Sequence, residues 1–169
     1  MPFIAHDVSQ LIGKTPMLRA ARFAPDCDLL FKCEFMNPGG SIKDRIGFAM
    51  IEDAERRGVL KPGGTIVEAT ASNTGLALAM AAAVKGYKLV TVMTTKTSAE
   101  KVALMRAVGA EVVIVPREAP PDSPENFMKE SRDSHQNATH MALCSTGPIE
   151  AIRPSAAAPA SATLAMTQT

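Results

Sequence analysis

The 169-residue sequence has no tryptophan, one tyrosine and three cysteines, and it carries almost no excess charge. Lysine and arginine total 18 against 17 aspartate and glutamate residues, so the basic surplus typical of nucleic-acid-binding proteins is missing. No apolar run approaches the roughly 18 residues that span a bilayer, and the N-terminus shows no leader pattern. These absences predict that the chain binds neither nucleic acid nor a membrane.

The cysteines and histidines are too scattered to suggest a metal site or a disulfide framework. Cys27, Cys33 and Cys144 form an odd set without a CxxC spacing. Such a set is typical of reduced thiols in a cytoplasmic protein. The sequence therefore predicts a cytoplasmic protein without a metal.

Charge and glycine are also scarce at the C-terminal end. The last 36 residues, 134–169, contain one acid, Glu150, and one base, Arg153. Beyond Gly109 the only glycine is Gly147. The rest is rich in alanine, serine, proline and threonine without an amphipathic period, which is typical of disordered segments. The composition predicts a disordered tail from Ser134.

What the sequence does contain is a regular alternation of short apolar strands and helices. The strands are predicted as "TIVEA", "KLVTVM" and "EVVIV", at Thr65–Ala69, Lys88–Met93 and Glu111–Val115. Gly86 ends the first intervening helix, and a capping box of Thr97 and Glu100 begins the second. Near-continuous apolar strands joined by helices predict an α/β fold: a three-layer parallel sheet with helical crossovers, covered on both faces.

A lysine stands at the start of an earlier predicted helix. Short strands "MLRA" and "LLFKCE" precede a helix over Ser41–Arg57, and Lys43 lies in its first turn, behind the turn "PGG". A cation there faces the positive end of the helix dipole, at a cost of roughly 0.3–1 kcal/mol, which favours the neutral amine that attacks a carbonyl. Lys43 is either a Schiff-base lysine for an aldehyde cofactor or a surface lysine paired with Asp44 or Asp53.

The stretch "EATASNTG" joins a predicted strand to the next helix. Thr70, Ser72, Asn73 and Thr74 offer hydroxyl and amide groups there. Ligands of parallel sheets bind at such strand ends, and the N–H groups of a helix start favour an anion such as a carboxylate. The alternative is an ordinary helix cap supplied by Asn73 or Ser72.

Four stretches together resemble one family in order and spacing: "IGKTPMLRA", "NPGGSIKDR", "EATASNTGLALAMAAAVKGYK" and "SAEKVALMRAVGAEVV". The resemblance, from about Val8 to Asp133, is to the cysteine synthase and cystathionine β-synthase family. These are pyridoxal-phosphate enzymes of fold type II, the tryptophan-synthase β fold. It implies that residues 1–44 begin the larger cofactor domain, that 45–133 form the smaller α/β domain and that 134–169 are a non-matching tail.

The resemblance also implies roles for particular residues. Lys43 matches the lysine that forms the Schiff base with pyridoxal 5'-phosphate and then removes the substrate's α-proton. Asn73 matches the asparagine that binds the cofactor's ring hydroxyl. Thr70, Ser72, Asn73 and Thr74 match the loop that grips the α-carboxylate of an amino-acid substrate. The implied reaction is β-replacement on an activated serine, as in cysteine biosynthesis, in a cytoplasmic homodimer.

Two departures from the family pattern weaken the expectation of activity. The family loop usually reads T-S-G-N-T-G, whereas Ala71 and Ser72 stand here at its second and third positions. In addition, the family's cofactor-phosphate loop lies downstream of the matching region. The chain is therefore expected to be truncated and inactive by itself. The alternatives are a non-catalytic remnant or partner-binding fragment, and chemistry of the cystathionine β-synthase or serine/threonine dehydratase type.

Overall fold

The computed structural model describes residues 3–23, 25–70, 72–117 and 140–142. Three α-helices and six strands lie within these ranges. The helices are α1 (Lys43–Arg56), α2 (Asn73–Lys85) and α3 (Ala99–Ala107). The strands are β1 (Met17–Arg19), β2 (Leu30–Lys32), β3 (Thr65–Ala69), β4 (Lys88–Thr94), β5 (Glu111–Val115) and β6 (His140–Ala142). None of the described helices has the length and apolar character needed to cross a membrane.

Four of the strands form one parallel sheet in the order β5-β4-β3-β6. Ile66 of β3 lies opposite Leu89 of β4, and Val92 of β4 lies opposite Val113 of β5. The prediction of three parallel, adjacent strands is confirmed. Because β3, β4 and β5 follow one another across the sheet, right-handed crossovers put α2 and α3 on the same face, where the two helices touch.

The central strands are buried on both faces, as the apolar runs predict. Ile66 and Met93 belong to the core cluster under the helices. Val67 and Val92 point to the opposite face, because side chains alternate along a strand, and they are 1% and 0% exposed. Burial on both sides agrees with the predicted three-layer arrangement.

Strand β6 differs from the expectation for the C-terminal segment. His140–Ala142 pairs in parallel with β3, with His140 opposite Thr65 and Ala142 opposite Val67. At least these three residues, inside the segment predicted to be a disordered tail, belong to the sheet. Composition misses such a strand because backbone hydrogen bonds to an existing strand edge require no charge and no amphipathic period. The other residues of that segment lie outside the described ranges.

Helices α1 and α2 lie side by side and run in the same direction. Gly47 packs against Ala77, where a Cβ added to the glycine would come within 2.7 Å of the Ala77 backbone carbon. Two turns further on, the Lys85 Nζ atom lies 2.8 Å from a carboxylate oxygen of Glu55. Both pairs are 30 residues apart in the sequence, so the two helices keep one register along their length.

The helix ends confirm one expectation and correct another. Gly86 ends α2 in the left-handed conformation with φ 76°, as predicted. The cap of α3 is Ser98 and not Thr97, because the helix begins one residue later than the capping box implied. The Ser98 hydroxyl accepts the N–H of Lys101 at 3.5 Å.

The two predicted N-terminal strands form a separate antiparallel pair. Met17 of β1 lies opposite Lys32 of β2, and all six residues of the pair are exposed. Exposed apolar side chains are concentrated here, among them Met17, Leu18, Leu30 and Phe31. The first part of the chain therefore adds little to the apolar core.

Candidate active site

Lys43 is the first residue of α1, at the position that the sequence analysis singled out. Its side chain is half-buried, and its amine makes no hydrogen bond or ion pair with another described residue. Asp53, one suggested partner, binds Arg56 and Arg57 instead. The other, Asp44, turns away into the interior. The described surroundings therefore do not favour the interpretation of Lys43 as a paired surface lysine.

The backbone before Lys43 is held by hydrogen bonds from two polar side chains. The Ser41 hydroxyl accepts the backbone N–H of Lys43 at 3.1 Å. The Asn37 amide nitrogen donates to the Ser41 carbonyl at 3.0 Å, and the Asn37 oxygen accepts the N–H of Gly13 at 2.9 Å. Asn37 is 3% exposed, so these bonds are protected from water. The start of α1 is thus fixed from the preceding turn.

A carboxylate connects this turn with the helix that follows. Glu34 forms a bidentate pair with Arg45, at 2.8 Å from Nε and 2.9 Å from Nη2. It also accepts hydrogen bonds from the Thr15 hydroxyl at 2.7 Å and from the Asn37 amide at 2.9 Å. The Arg45 hydrogen bond, followed by those of Thr15 and Asn37, lowers the pKa of Glu34 to about 2.

Asp44 is the only residue between Lys43 and Arg45, and it is completely buried. One carboxylate oxygen accepts the Gly39 N–H at 2.5 Å, while Oδ1 has no hydrogen-bond partner among the described residues. Desolvation raises the pKa of this carboxyl, against the lowering effect of the Gly39 bond. Gly39 is needed here because a Cβ would overlap Asp44 and come within 2.7 Å of Met80 Cε.

The second predicted group of site residues surrounds the start of α2. Ser72 and Asn73 are exposed, whereas Thr70 and Thr74 are buried. The Thr70 hydroxyl lies 3.3 Å from the Ser72 hydroxyl and 3.4 Å from its backbone nitrogen. Ser72 is the N-cap residue, but it makes no capping hydrogen bond with its side chain. The exposed side chains of Ser72 and Asn73 are therefore open to a ligand, whereas Thr70 and Thr74 are buried.

Serine at position 72 fits its backbone without strain. Its φ of −128° and ψ of −173° are extended values open to any residue, so the backbone conformation here does not require a glycine. Gly75 is the glycine that packing demands: a Cβ there would come within 2.5 Å of Thr70 Cγ2 and 2.8 Å of Met105 Cε. Ala71, the other departure from the family pattern, lies outside the described residues.

The helix register relates the two groups of site residues. Lys43 and Asn73 are the first residues of α1 and α2, and they too are 30 positions apart. Since Gly47 meets Ala77 one turn further along both helices, Lys43 and Asn73 lie at the same end of the helix pair. That end follows the carboxyl end of β3, where ligands of parallel sheets bind.

These residues fit one part of an aldehyde cofactor. Lys43 supplies an amine without a described partner, Asn73 an exposed amide, and the loop from Thr70 supplies hydroxyl groups. The fit does not extend to a phosphate within the described residues. Besides Gly39–Gly40, the chain has one other glycine pair, Gly63–Gly64. This pair directly precedes β3, so it lies at the amino end of the strand, away from the candidate site at the carboxyl end.

Comparison with known proteins agrees with this arrangement. Residues 8–149 match the family model described as pyridoxal-phosphate dependent enzyme. The chain therefore belongs to that family, whose members use pyridoxal phosphate and act on amino acids. The match extends past Asp133, where the sequence resemblance had been expected to end, and it includes β6.

Two groups of curated relatives share the matched region. Rat cystathionine β-synthase is 56% identical over 131 residues, which are 75% of this chain and 23% of the relative. Cysteine synthase 1 of Neurospora crassa is 48% identical over 131 residues, 76% of this chain and 35% of the relative. The chain thus spans between about a quarter and a third of the length of these two relatives.

Solved structures show the same fold. A hydrogen sulfide-producing enzyme of Fusobacterium nucleatum superposes with a TM-score of 0.72 at 35% identity, covering 84% of this chain and 46% of that enzyme. O-ureido-L-serine synthase gives a TM-score of 0.70 at 38% identity, covering 81% and 43%. The described residues therefore have the architecture of fold-type II pyridoxal-phosphate enzymes.

The residues that surround Lys43 carry no pattern that marks them in the sequence. Glu34, Asn37 and Arg45 had no assigned role, and Asp44 was considered only as an ion-pair partner of Lys43. Asn37, Asp44 and Arg45 all lie within the stretch "NPGGSIKDR". The polar residues at the two ends of this short stretch were the only sequence signal that could have indicated their role. Glu34 lies outside it, and only the folded structure shows its contacts.

Proposed function

We propose that the chain carries the lysine and substrate-loop part of an active site for pyridoxal-phosphate-dependent β-replacement on an activated serine, as in cysteine synthase. The observation that carries the proposal is the common register of α1 and α2, which brings Lys43 and Asn73 to one end of the helix pair. The cofactor, when bound, supplies an electron sink for the bond-breaking steps at the amino acid's α- and β-carbons. Cysteine synthase 1 and cystathionine β-synthase among the relatives support this reaction class.

Each site residue has a proposed task that follows from its chemistry. Lys43 would hold the cofactor at its aldehyde carbon, and its free Nζ would accept the proton lost from the substrate's α-carbon. The Asn73 amide would hold the cofactor's ring hydroxyl. The hydroxyls of Thr70, Ser72 and Thr74, with the N–H groups of the α2 start, hold the substrate carboxylate.

The described residues lack an evident site for the cofactor phosphate. Gly40, at φ 74°, has no atom within 4 Å of an added Cβ and leaves open space before Lys43, but no second glycine-rich turn adjoins it. We therefore propose that the 169-residue chain alone binds the cofactor weakly and has little or no activity. A cytoplasmic location and a homodimer are parts of the same proposal.

Visible absorbance of purified chain mixed with pyridoxal phosphate tests the assignment of the lysine. A weak band of lysine-bound cofactor is expected for the parent chain and for Lys88→Ala, which removes an exposed lysine at the start of β4. Lys43→Ala should lose the band and keep the parent's circular dichroism. A band that survives in Lys43→Ala would return Lys43 to the role of a surface lysine.

The exposed N-terminal strands favour a second candidate, a partner-binding fragment. Met17, Leu18, Leu30 and Phe31 expose apolar surface that the described residues leave uncovered. The proposed occupant is the remaining part of a related enzyme, since the chain covers 46% of the Fusobacterium enzyme. We expect this chain to copurify with the unmatched part of that enzyme. Leu18→Lys should weaken the interaction. Self-association of the chain, or no binding, would contradict this candidate.

A further inference from the structure

We infer that Glu34 is a positioning residue for Lys43, holding the chain on both sides of the lysine. The inference rests on the proposed function, because the placement of the Lys43 amine matters for catalysis only if Lys43 binds the cofactor. Glu34 lies nine residues before Lys43, in the short 3-10 turn Glu34–Met36. Its influence reaches the lysine through two routes that meet at one carboxylate.

The first route controls the backbone that leads into Lys43. Oε2 of Glu34 accepts the Asn37 amide at 2.9 Å, and the same amide donates to the Ser41 carbonyl at 3.0 Å. The Ser41 hydroxyl then accepts the Lys43 N–H at 3.1 Å. Three consecutive hydrogen-bonded contacts therefore connect the carboxylate to the lysine's own backbone.

The second route controls the helix turn that follows Lys43. Arg45 binds both oxygens of Glu34 through its planar guanidinium, which fixes orientation as well as distance. The Glu34 side chain is 18% exposed, so water competes little for its oxygens. With Thr15 and Asn37 as further donors, each carboxylate oxygen accepts two hydrogen bonds. A carboxylate satisfied in this way has one geometry available to it.

Glu34→Gln is the informative substitution because it keeps the shape and removes the second acceptor. The new amide would direct its own N–H groups at Arg45 or Asn37, which are donors themselves. The routes before and after Lys43 would then be loosened together. Glu34→Asp keeps the charge on a shorter side chain and should restore part of the contact.

Glu55→Gln provides a matched control on α1, the helix that begins at Lys43. Glu55 also accepts two side-chain hydrogen bonds, from Lys85 at 2.8 Å and from the Tyr87 hydroxyl at 2.8 Å. It lies 12 residues beyond Lys43, about 18 Å along the helix. Its loss should lower the free energy of unfolding without changing the surroundings of Lys43.

The test compares the site distribution of two amine reagents on the folded chain, read by peptide mass spectrometry. Acetic anhydride reports how exposed Lys43 is among the lysines, and pyridoxal phosphate trapped with borohydride reports how well its amine is placed. In Glu34→Gln the acetylated share of Lys43 should rise severalfold while its trapped-cofactor share falls severalfold. Glu34→Asp should be intermediate, and Glu55→Gln should match the parent chain in both shares.

The outcomes separate this inference from the proposed function. An acetylated share of Lys43 that is equal in Glu34→Gln and the parent overturns the positioning role, whatever the cofactor does. A parent chain that traps no excess of cofactor at Lys43 contradicts the proposed function, while acetylation still decides the positioning role. Equal changes in Glu34→Gln and Glu55→Gln would reduce Glu34 to a contributor to stability and also overturn the inference.

Discussion

The two halves of the candidate site are held in place by different physical means. Around Lys43 the backbone is fixed by polar side chains, chiefly Glu34, Asn37 and Arg45, in a part of the chain with little buried apolar surface. Around Asn73 the backbone is fixed by packing, with Gly75 pressed against Thr70 and Met105. Substitutions around Lys43 should therefore change the pH dependence of the free energy of unfolding. Substitutions around Asn73 should change that free energy by removing contacts or creating cavities.

The largest difference is expected when one apolar side chain is removed from each half. Ile66 in β3 is 0% exposed and Phe31 in β2 is 48% exposed. Ile66→Ala should lower the free energy of unfolding by about 2–4 kcal/mol, since it leaves a cavity. Phe31→Ala should change it by no more than about 0.5 kcal/mol. Urea unfolding checks both; similar losses would show that the N-terminal strands belong to the same cooperative core.

A smaller effect is expected at the contact between α1 and α2. Gly47→Ala should lower the free energy of unfolding by about 1–3 kcal/mol, because the new methyl group meets the Ala77 backbone. Helix propensity acts in the opposite direction by about 1 kcal/mol, so a stabilised variant would show that the helices are not in close contact. Ala49→Val, an exposed change on the same helix, should cost about 0.5 kcal/mol in the same measurement.

The polar contacts around Lys43 should make the free energy of unfolding fall at acidic pH. The pKa of Glu34 is lowered from 4.5 to about 2, so its stabilising effect is complete above about pH 4.5. That effect is lost as the pH falls from 4.5 towards 2 and the carboxylate takes up a proton. Glu34→Gln should have a shallower decline of unfolding free energy across this range. Parallel pH profiles of variant and parent would contradict the polar anchoring of the Lys43 half.

The contribution of Asp44 to the free energy of unfolding should depend on pH in the opposite direction. This is the smallest of the expected effects. Burial raises its pKa above 3.8, so ionisation costs stability, and that loss grows as the pH rises through the raised value. Asp44→Asn keeps an acceptor for the Gly39 N–H and avoids burying a charge, so it should be more stable than the parent at pH 7. The advantage should vanish at about pH 3, below the raised pKa; an advantage that is equal at both pH values would rule out a buried charge.

The sheet could be predicted from sequence because each strand carries its own signal. Apolar runs such as Thr65–Ala69, bounded by Gly64 and a polar loop, specify strand type and burial locally. The pairing of His140–Ala142 with β3 could not be predicted, since it depends on a free strand edge and not on the composition of the segment. The division into domains at residues 44 and 133 remains a prediction.

The candidate site was predictable where a motif is contiguous and unpredictable where contacts are distant in sequence. Lys43 and Asn73 stand at helix starts that the pattern marks, and their roles remain predictions. The contacts of Glu34 with Thr15 and Arg45 join residues 19 and 11 positions apart. No periodicity records such contacts, because they depend on how the turns fold back on one another.

The most direct test of the account asks whether the two helix starts form one site. Pyridoxal phosphate is bound, trapped with borohydride and mapped by mass spectrometry in the parent, in Asn73→Ala and in Glu111→Ala, which removes an exposed polar side chain at the start of β5. The account predicts that Lys43 takes a larger share of the adduct than any other lysine. It also predicts that Asn73→Ala lowers this share while Glu111→Ala leaves it unchanged. An adduct spread evenly over the lysines, or a Lys43 share unaffected by Asn73→Ala, would contradict the account.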